Sequence, residues 1–240
     1  GYGKAELEIV KGLKGIANVS YESNSSSGSF YIPSYAFNGI TDKGYGRRNS
    51  AEYYTVQLES YINYDKNLLD FARLNVMAGY SYLDNVYSGF GSERRGFDTD
   101  EFGYDNLGAG QDYRSGDVYS YKGEAKLISF FGRVNFNAKE RYLITATLRR
   151  DGSSRFGKNN KWGLFPSVSL GWRISEEAFM DGTGNWLNSL KLRVGYGVTG
   201  NQDGIGEYKS QFLLGAGGSS YYDAVSGTWK QSYGAIQNAN

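Results

Sequence analysis

Strict two-residue alternation of apolar and polar side chains recurs in eight segments of this chain, a period that fits strands and not helices. Ala5, Leu7 and Ile9 oppose Lys4, Glu6 and Glu8, and Leu13, Ala17, Val19 and Tyr21 oppose Lys14, Asn18, Ser20 and Glu22. Tyr54, Val56, Leu58 and Ile62 oppose Thr55, Gln57, Glu59 and Asn63; Leu74, Val76, Ala78, Tyr80 and Tyr82 oppose Arg73, Asn75, Gly79 and Ser81. The second half alternates more cleanly. Phe130, Val134 and Phe136 oppose Ser129, Arg133, Asn135 and Asn137, and Tyr142, Ile144, Ala146 and Leu148 oppose Thr145, Thr147 and Arg149. Leu164, Val168, Leu170, Trp172 and Ile174 oppose Ser167, Ser169, Gly171 and Arg173; Leu190, Leu192, Val194, Tyr196 and Val198 oppose Lys191, Arg193, Gly195, Gly197 and Thr199. Each segment is close to the roughly 9–11 residues with which a tilted strand crosses a bilayer.

Alternation alone also suits a soluble sandwich. The connections separate the two. Lys11-Gly12 and Asn137 to Arg141 are tight turns, whereas Ser23 to Ala51 and Asp84 to Lys122 are long, polar and glycine-rich. Structureless loops beyond roughly 12–15 residues are uncommon in compact domains, but short turns on one side and long loops on the other are the layout of outer-membrane barrels. Ser175 to Ser189 is the exception: a short-side turn of medium length whose EEAFM stretch favours a helical turn. With the long loops outside, Tyr21, Tyr54, Tyr80, Tyr82 and Phe130 fall near the outer end of the apolar faces, and Tyr64, Phe136, Tyr142 and Trp172 near the inner end. Aromatic girdles are expected at the two membrane interfaces.

Composition narrows the function classes. The 240 residues carry 26 Lys and Arg against 25 Asp and Glu, a balance that argues against a nucleic-acid partner. The absence of Cys and His removes disulfides, thiolate chemistry, the commonest general base and the commonest metal ligand. Aromatics reach 16% beside 34 Gly and 2 Pro, a strand-and-turn composition. Mean hydropathy is −0.54 and no apolar run approaches the roughly 18 residues of a spanning helix, which bears on helical membrane proteins only.

The stretches SFFGRVNFNAKERYLITATLRRDGSSRFG (Ser129 to Gly157), KWGLFPSVSLGWRISEEAFM (Lys161 to Met180) and LKLRVGYGVTGNQDGIGEY (Leu190 to Tyr208) resemble the SusC/RagA family of TonB-linked outer-membrane transporters. The resemblance runs from Ile128 to Asp203; the earlier segments fit in style without a comparable signature. It implies an all-β fold, a transmembrane antiparallel β-barrel, with about eight strands here out of roughly 22 closed around a plug. Plug domain, TonB-contacting motif and barrel-closing strand are not in the sequence, so the chain is expected to be an internal part of the barrel domain, residues 1–240. Its long extracellular loops are expected near 23–51, 84–122, 151–161 and 201–240. The implied function is TonB-dependent nutrient import across the bacterial outer membrane, transport rather than catalysis. The implied substrate is an oligosaccharide or peptide, with a SusD-like surface lipoprotein as lid and the TonB-ExbB-ExbD complex acting through the plug. Membrane lipid is the remaining partner, and no cofactor is implied. Two readings from other classes stay open: a stand-alone small outer-membrane barrel or adhesin, and a secreted carbohydrate-binding β-sandwich. The length of the native product tests the first, and detergent-dependent extraction the second.

Several stretches invite a catalytic or ligand reading and have a plainer one. Arg149, Arg150 and Asp151 before GSSRFG read as turn and rim chemistry, with Arg150 able to snorkel at the interface. Gly195, Gly197 and Gly200 lack the strand-then-helix context of a phosphate loop and suit close packing. Asp98, Asp100, Glu101, Asp105, Asp112 and Asp117 lack EF-hand spacing. No catalytic, cofactor-binding or metal residue is assigned. Phe97, Phe102, Tyr104, Tyr113 and Tyr119 are candidates for substrate or lid contact. Arg133, Arg149, Arg173 and Arg193 are expected to face the lumen.

Overall fold

A computed structural model describes residues 1–183, 186–208, 213–223, 225 and 228–237. Eight strands follow one another in a single sheet: β1 (Tyr2–Val10), β2 (Leu13–Ile32), β3 (Tyr45–Leu69), β4 (Ala72–Arg95), β5 (Val118–Ala138), β6 (Tyr142–Ser153), β7 (Trp162–Arg173) and β8 (Lys191–Gly197). Each is hydrogen-bonded to its neighbour in the chain, in the order β1 to β8. A separate antiparallel pair, β9 (Leu213–Asp223) and β10 (Thr228–Gln237), lies within the stretch read as a loop over 201–240. Residues 209–212, 224, 226–227 and 238–240 of that stretch are outside the described residues.

The expected strands are all present, but four of them run much further than the alternation does. β3 holds 25 residues and β4 holds 24, so β3 is ~80 Å long at ~3.3 Å per residue, against a hydrocarbon layer of ~30 Å. The stretches read as loops over 23–51 and 84–122 therefore begin and end as strand, with non-strand segments over 33–44 and 96–117. The sequence Ser23 to Ser29 hides its strand because neither face is apolar. Backbone pairing needs no hydrophobic face where water covers both sides.

The chain divides into two compact units: Gly1, Tyr21–Val56 and Asp84–Glu124 form the first, and Tyr2–Ser20, Gln57–Leu83 and Ala125–Asn240 form the second. In the second unit, β5 and β6 pair without a register shift from Leu127↔Ser153 to Ala138↔Tyr142, and β6 and β7 from Tyr142↔Trp172 to Gly152↔Trp162. β8 continues the pattern with Trp172↔Leu192, Leu170↔Val194 and Val168↔Tyr196. Partners across a sheet share a face. One face therefore carries rows such as Phe136, Ile144, Leu170 and Val194, and the other carries Asn135, Thr145, Ser169 and Gly195.

The short turns explain their residues. Gly12 has φ +83, and a Cβ there would collide with the carbonyl of Asp65. Lys139 and Glu140 both have positive φ, 51 and 53, and the Arg141 N–H donates to the Ala138 carbonyl at 3.0 Å. This is the type I′ geometry that matches strand twist. The Lys139 N–H also donates to the carbonyl of Phe71 at 2.6 Å, tying this turn to the one between β3 and β4. The Ser175 to Ser189 connection contains 3₁₀ helices at Ile174–Glu176 and Ala178–Thr183, as its sequence suggests.

Among the described residues the only buried apolar side chains are Ile16, Ala72, Val86 and Phe97. Leu148, Leu164, Leu170, Leu192 and Val194 are instead all more than half exposed, on one continuous face. A sheet with so little interior and so much exposed aliphatic surface is incomplete in water, because contiguous apolar patches of this kind mark surfaces that something else covers.

Candidate functional site

The polar face of the second unit carries a chain of side-chain hydrogen bonds running across the strands. Asn75 Nδ2 donates to Asn63 Oδ1 at 3.0 Å, Asn135 Nδ2 to Asn75 Oδ1 at 3.2 Å, and Thr145 Oγ1 to Asn135 Oδ1 at 2.9 Å. One residue per strand from β3 to β6 is thus linked to the next. Arg73 grips Asp65 beside this row, its Nε donating to Oδ1 at 2.9 Å and its Nη2 to Oδ2 at 2.8 Å. Asp65, Arg73, Asn75, Asn135, Lys191 and Arg193 line a concave pocket of about 630 Å³.

The register places Arg133, Arg149, Arg173 and Arg193 on this same face. Arg149 is committed to structure: its Nε donates to Asp151 Oδ1 at 2.7 Å and its Nη2 to the fully buried Ser129 hydroxyl at 2.8 Å. Arg173 pairs with Lys191 in register, and Arg193 follows two residues later, so three cations gather at one end of the face. Arg150 lies on the opposite face, its guanidinium carbon 4.8 Å from the centroid of the Trp162 ring, with Phe130 stacked against that ring at 6.1 Å. Arg155, which the sequence reading passed over, donates to the carbonyls of Gln202 and Ile205 and pairs with Glu207 at 2.9 Å, binding the segment after β6 to the segment after β8.

The first unit holds the loop candidates, and they separate. Phe97 is 5% exposed and packs edge-on against Tyr31 with centroids 5.3 Å apart, so it is a core residue of its unit. Phe102 and Tyr104 are exposed, and Tyr104 borders a pocket with Ser27, Gly28, Arg48 and Phe90. Tyr113 is 60% exposed beneath Arg94, whose guanidinium carbon lies 4.6 Å from the ring centroid. Tyr119 lies along β5 over Gly91 of β4, Tyr121 over Gly89, and Tyr87 reciprocally over Gly123. Each glycine makes room for a ring that lies flat on the sheet, the arrangement known as aromatic rescue. Tyr87 and Tyr121, with Tyr35 and Phe37 of the 33–44 turn, are exposed aromatics that the sequence reading did not single out. The Tyr-x-Tyr spacing of Tyr119 and Tyr121 is the one available signal.

The loop carboxylates turn out to be fastenings. Asp100 accepts from the Ser34 amide at 2.8 Å, the Tyr31 hydroxyl at 2.7 Å and the Ser34 hydroxyl at 2.7 Å. The Ser34 amide first, then Tyr31, hold its carboxyl below the usual range. The Tyr31 phenol is pushed up to about 12, chiefly by burial and then by Asp100. Arg95 pairs with Asp117 at 2.8 Å, Glu93 at 3.3 Å and Asp42 at 3.6 Å, and Asp42 also takes Arg114 at 2.6 Å. Burial would raise the Asp117 carboxyl, but the Arg114 amide and the Arg95 guanidinium outweigh it and hold it low. These contacts join the 33–44 and 96–117 turns. Among the described residues no group of three or more His, Cys, Asp or Glu is placed to hold a metal.

Comparison with known proteins places this geometry. Residues 7–240 match the family described as TonB dependent receptor-like, beta-barrel. TonB-dependent receptor P39 of Formosa agariphila is 33% identical over 224 residues, which cover 92% of this chain and 21% of that protein. TonB-dependent receptor SusC of Bacteroides thetaiotaomicron is 52% identical over 84 residues, 35% of this chain and 8% of that protein. The structure of the RagAB peptide transporter superposes with a TM-score of 0.83 at 24% identity, covering 100% of this chain and 25% of that one. The chain thus spans about a fifth of the length of P39.

Proposed function

Because this chain belongs to the TonB-dependent receptor-like β-barrel family, whose members are outer-membrane barrels, we propose that it forms part of the wall of a SusC-like importer in the bacterial outer membrane. The observation that carries the reading is the two-faced meander. One face of β5 to β8 is exposed and aliphatic, and on the opposite side of the sheet a row of hydrogen-bonded amides and one hydroxyl links β3 to β6. The first is suited to hydrocarbon and the second to a watery lumen.

In this reading Arg133, Arg149, Arg173 and Arg193 face the lumen. The turns at Gly12, Phe71 and Lys139 lie on the periplasmic side. The long ends of β2 to β5, with the 33–44 and 96–117 turns, stand outside the cell, as do 151–161 and 201–240. The wall supplies a stable pore; the work of transport comes from the TonB-ExbB-ExbD complex pulling on a plug. The substrate is an oligosaccharide or peptide, and Phe102, Tyr104, Tyr113 and Tyr119 contact it or a SusD-like lid lipoprotein. Phe97 is reserved for the core of its unit. The relatives are TonB-dependent receptors and not enzymes. A sandwich reading is disfavoured because the four buried apolar residues among those described do not make the interior between two sheets.

Topology is tested by thiol labelling on intact cells. Cys at Ser26 or Ser92 of the full-length protein is expected to react with an impermeant reagent, and Cys at Lys139 is not. Labelling at Lys139 alone would invert the orientation.

A further inference from the structure

The connection between β7 and β8 departs from the tight turns beside it, and it folds toward one particular face. Tyr142 opens β6 and Trp172 nearly closes β7; they are paired in register and lie on the aliphatic face. Glu177, in the connection, takes both. Its Oε1 accepts from the Tyr142 hydroxyl at 2.7 Å and from the Trp172 indole N–H at 2.9 Å, and its Oε2 accepts from Arg141 at 3.2 Å. The carboxylate is therefore fully engaged and its side chain is only 13% exposed. Two residues on, Phe179 packs edge-on against the Trp172 ring with centroids 6.4 Å apart, yet 68% of it remains exposed. An exposed phenylalanine next to a neutralised carboxylate, continuous with the aliphatic face, is the composition of an interfacial anchor. Glu176 and Asp181, both exposed and charged, limit how deep such a segment sinks.

We propose that the Glu177–Phe179 segment is clamped onto the outer side of the wall and seats Phe179 in the headgroup layer of the periplasmic leaflet, as a lipid-binding foot for β6 and β7. The foot rests on the reading of the aliphatic face as lipid-facing. Its occupant is phospholipid, because the surface it prolongs is the one that meets acyl chains. The carboxylate that would otherwise repel the bilayer is shared among a phenol, an indole and a guanidinium.

The test uses full-length protein, freed of other cysteines, in phosphatidylethanolamine and phosphatidylglycerol vesicles. Nitroxide labels at Ala178, Leu170 and Lys139 report collision with oxygen, which partitions into lipid, and with a water-soluble nickel complex. The 178 label is expected to show an oxygen-to-nickel ratio several-fold above that at 139 and below that at 170. Glu177→Ala, and separately Phe179→Ser, should drop the 178 ratio to the level at 139 while the 170 label is unmoved, which shows that the barrel remains folded. A 178 label as nickel-accessible as 139, with 170 still protected, overturns the foot. An unchanged 178 ratio in both variants overturns the clamp. A nickel-accessible 170 label instead overturns the membrane-wall reading itself.

Discussion

Leu170 and Ser169 are one peptide bond apart and sit on opposite faces of β7, with Ile144 and Val194 beside the first and Thr145 and Gly195 beside the second. Leu170→Arg should cost roughly 2–4 kcal/mol, the range for a cation on the lipid face near mid-membrane. Ser169→Arg enters the polar face and should be tolerated. Heat-modifiable gel mobility of the folded barrel reads both; equal damage would mean that the faces are wrongly assigned. The glycines give a second comparison. A Cβ at Gly91 lands on the Tyr119 ring, so Gly91→Val should destabilise the β4–β5 pair despite valine's preference for strands. Adding Tyr119→Ala should recover part of the loss, a coupling that thermal unfolding of single and double variants measures. At this scale the sequence was legible wherever lipid or its absence imposes a rule. Leu190 to Val198 alternates because one side must be apolar. Phe97 was not legible, because its neighbours Phe102 and Tyr104 have the same chemistry and only the fold sends one ring inward against Tyr31.

At the scale of elements, the strand cores could be read and the strand ends could not. β6 and β7 end within four residues of where alternation ends, whereas β2 runs on through Ser23 to Ile32. Such extensions are held by backbone pairing and by their turns, and the turns are held by charge. Asp100 and Asp117 have carboxyls below the ordinary range in the folded protein. The stability they contribute is therefore present above the ordinary carboxylate pKa and is lost as pH falls through the folded value. Acidification should open the 33–44 and 96–117 turns before β6 to β8 loosen, seen as local loss of amide hydrogen-exchange protection. Asp117→Asn should reproduce part of that opening at neutral pH, at about 1–3 kcal/mol for a part-buried charge partner removed. Protection in the turns that does not change with pH would remove the ion pairs as their fastening.

On the scale of the whole molecule, the chain spans about a fifth of the length of P39. The exposed rings of the first unit offer contact area to a partner, since aromatics are enriched in interface cores. With full-length protein in mild detergent, a SusD-like lipoprotein is expected to co-purify. Replacing Phe102, Tyr104 and Tyr113 with serine should weaken that association while leaving Phe97, Arg95 and the fold in place. A protein that purifies alone even after crosslinking in cells would make these rings a self-contained gate.

The neighbour-to-neighbour order of β1 to β8 also bears on how such a wall comes into being. An unpaired backbone amide is intolerable in hydrocarbon, and a strand that had to wait for a distant partner would carry a row of them. Here each of β2 to β8 pairs with the strand just before it in the chain, so loop closure spans short stretches and the entropy of each search stays small. Pairing can advance one hairpin at a time, each new strand adding to the edge left by the one before it.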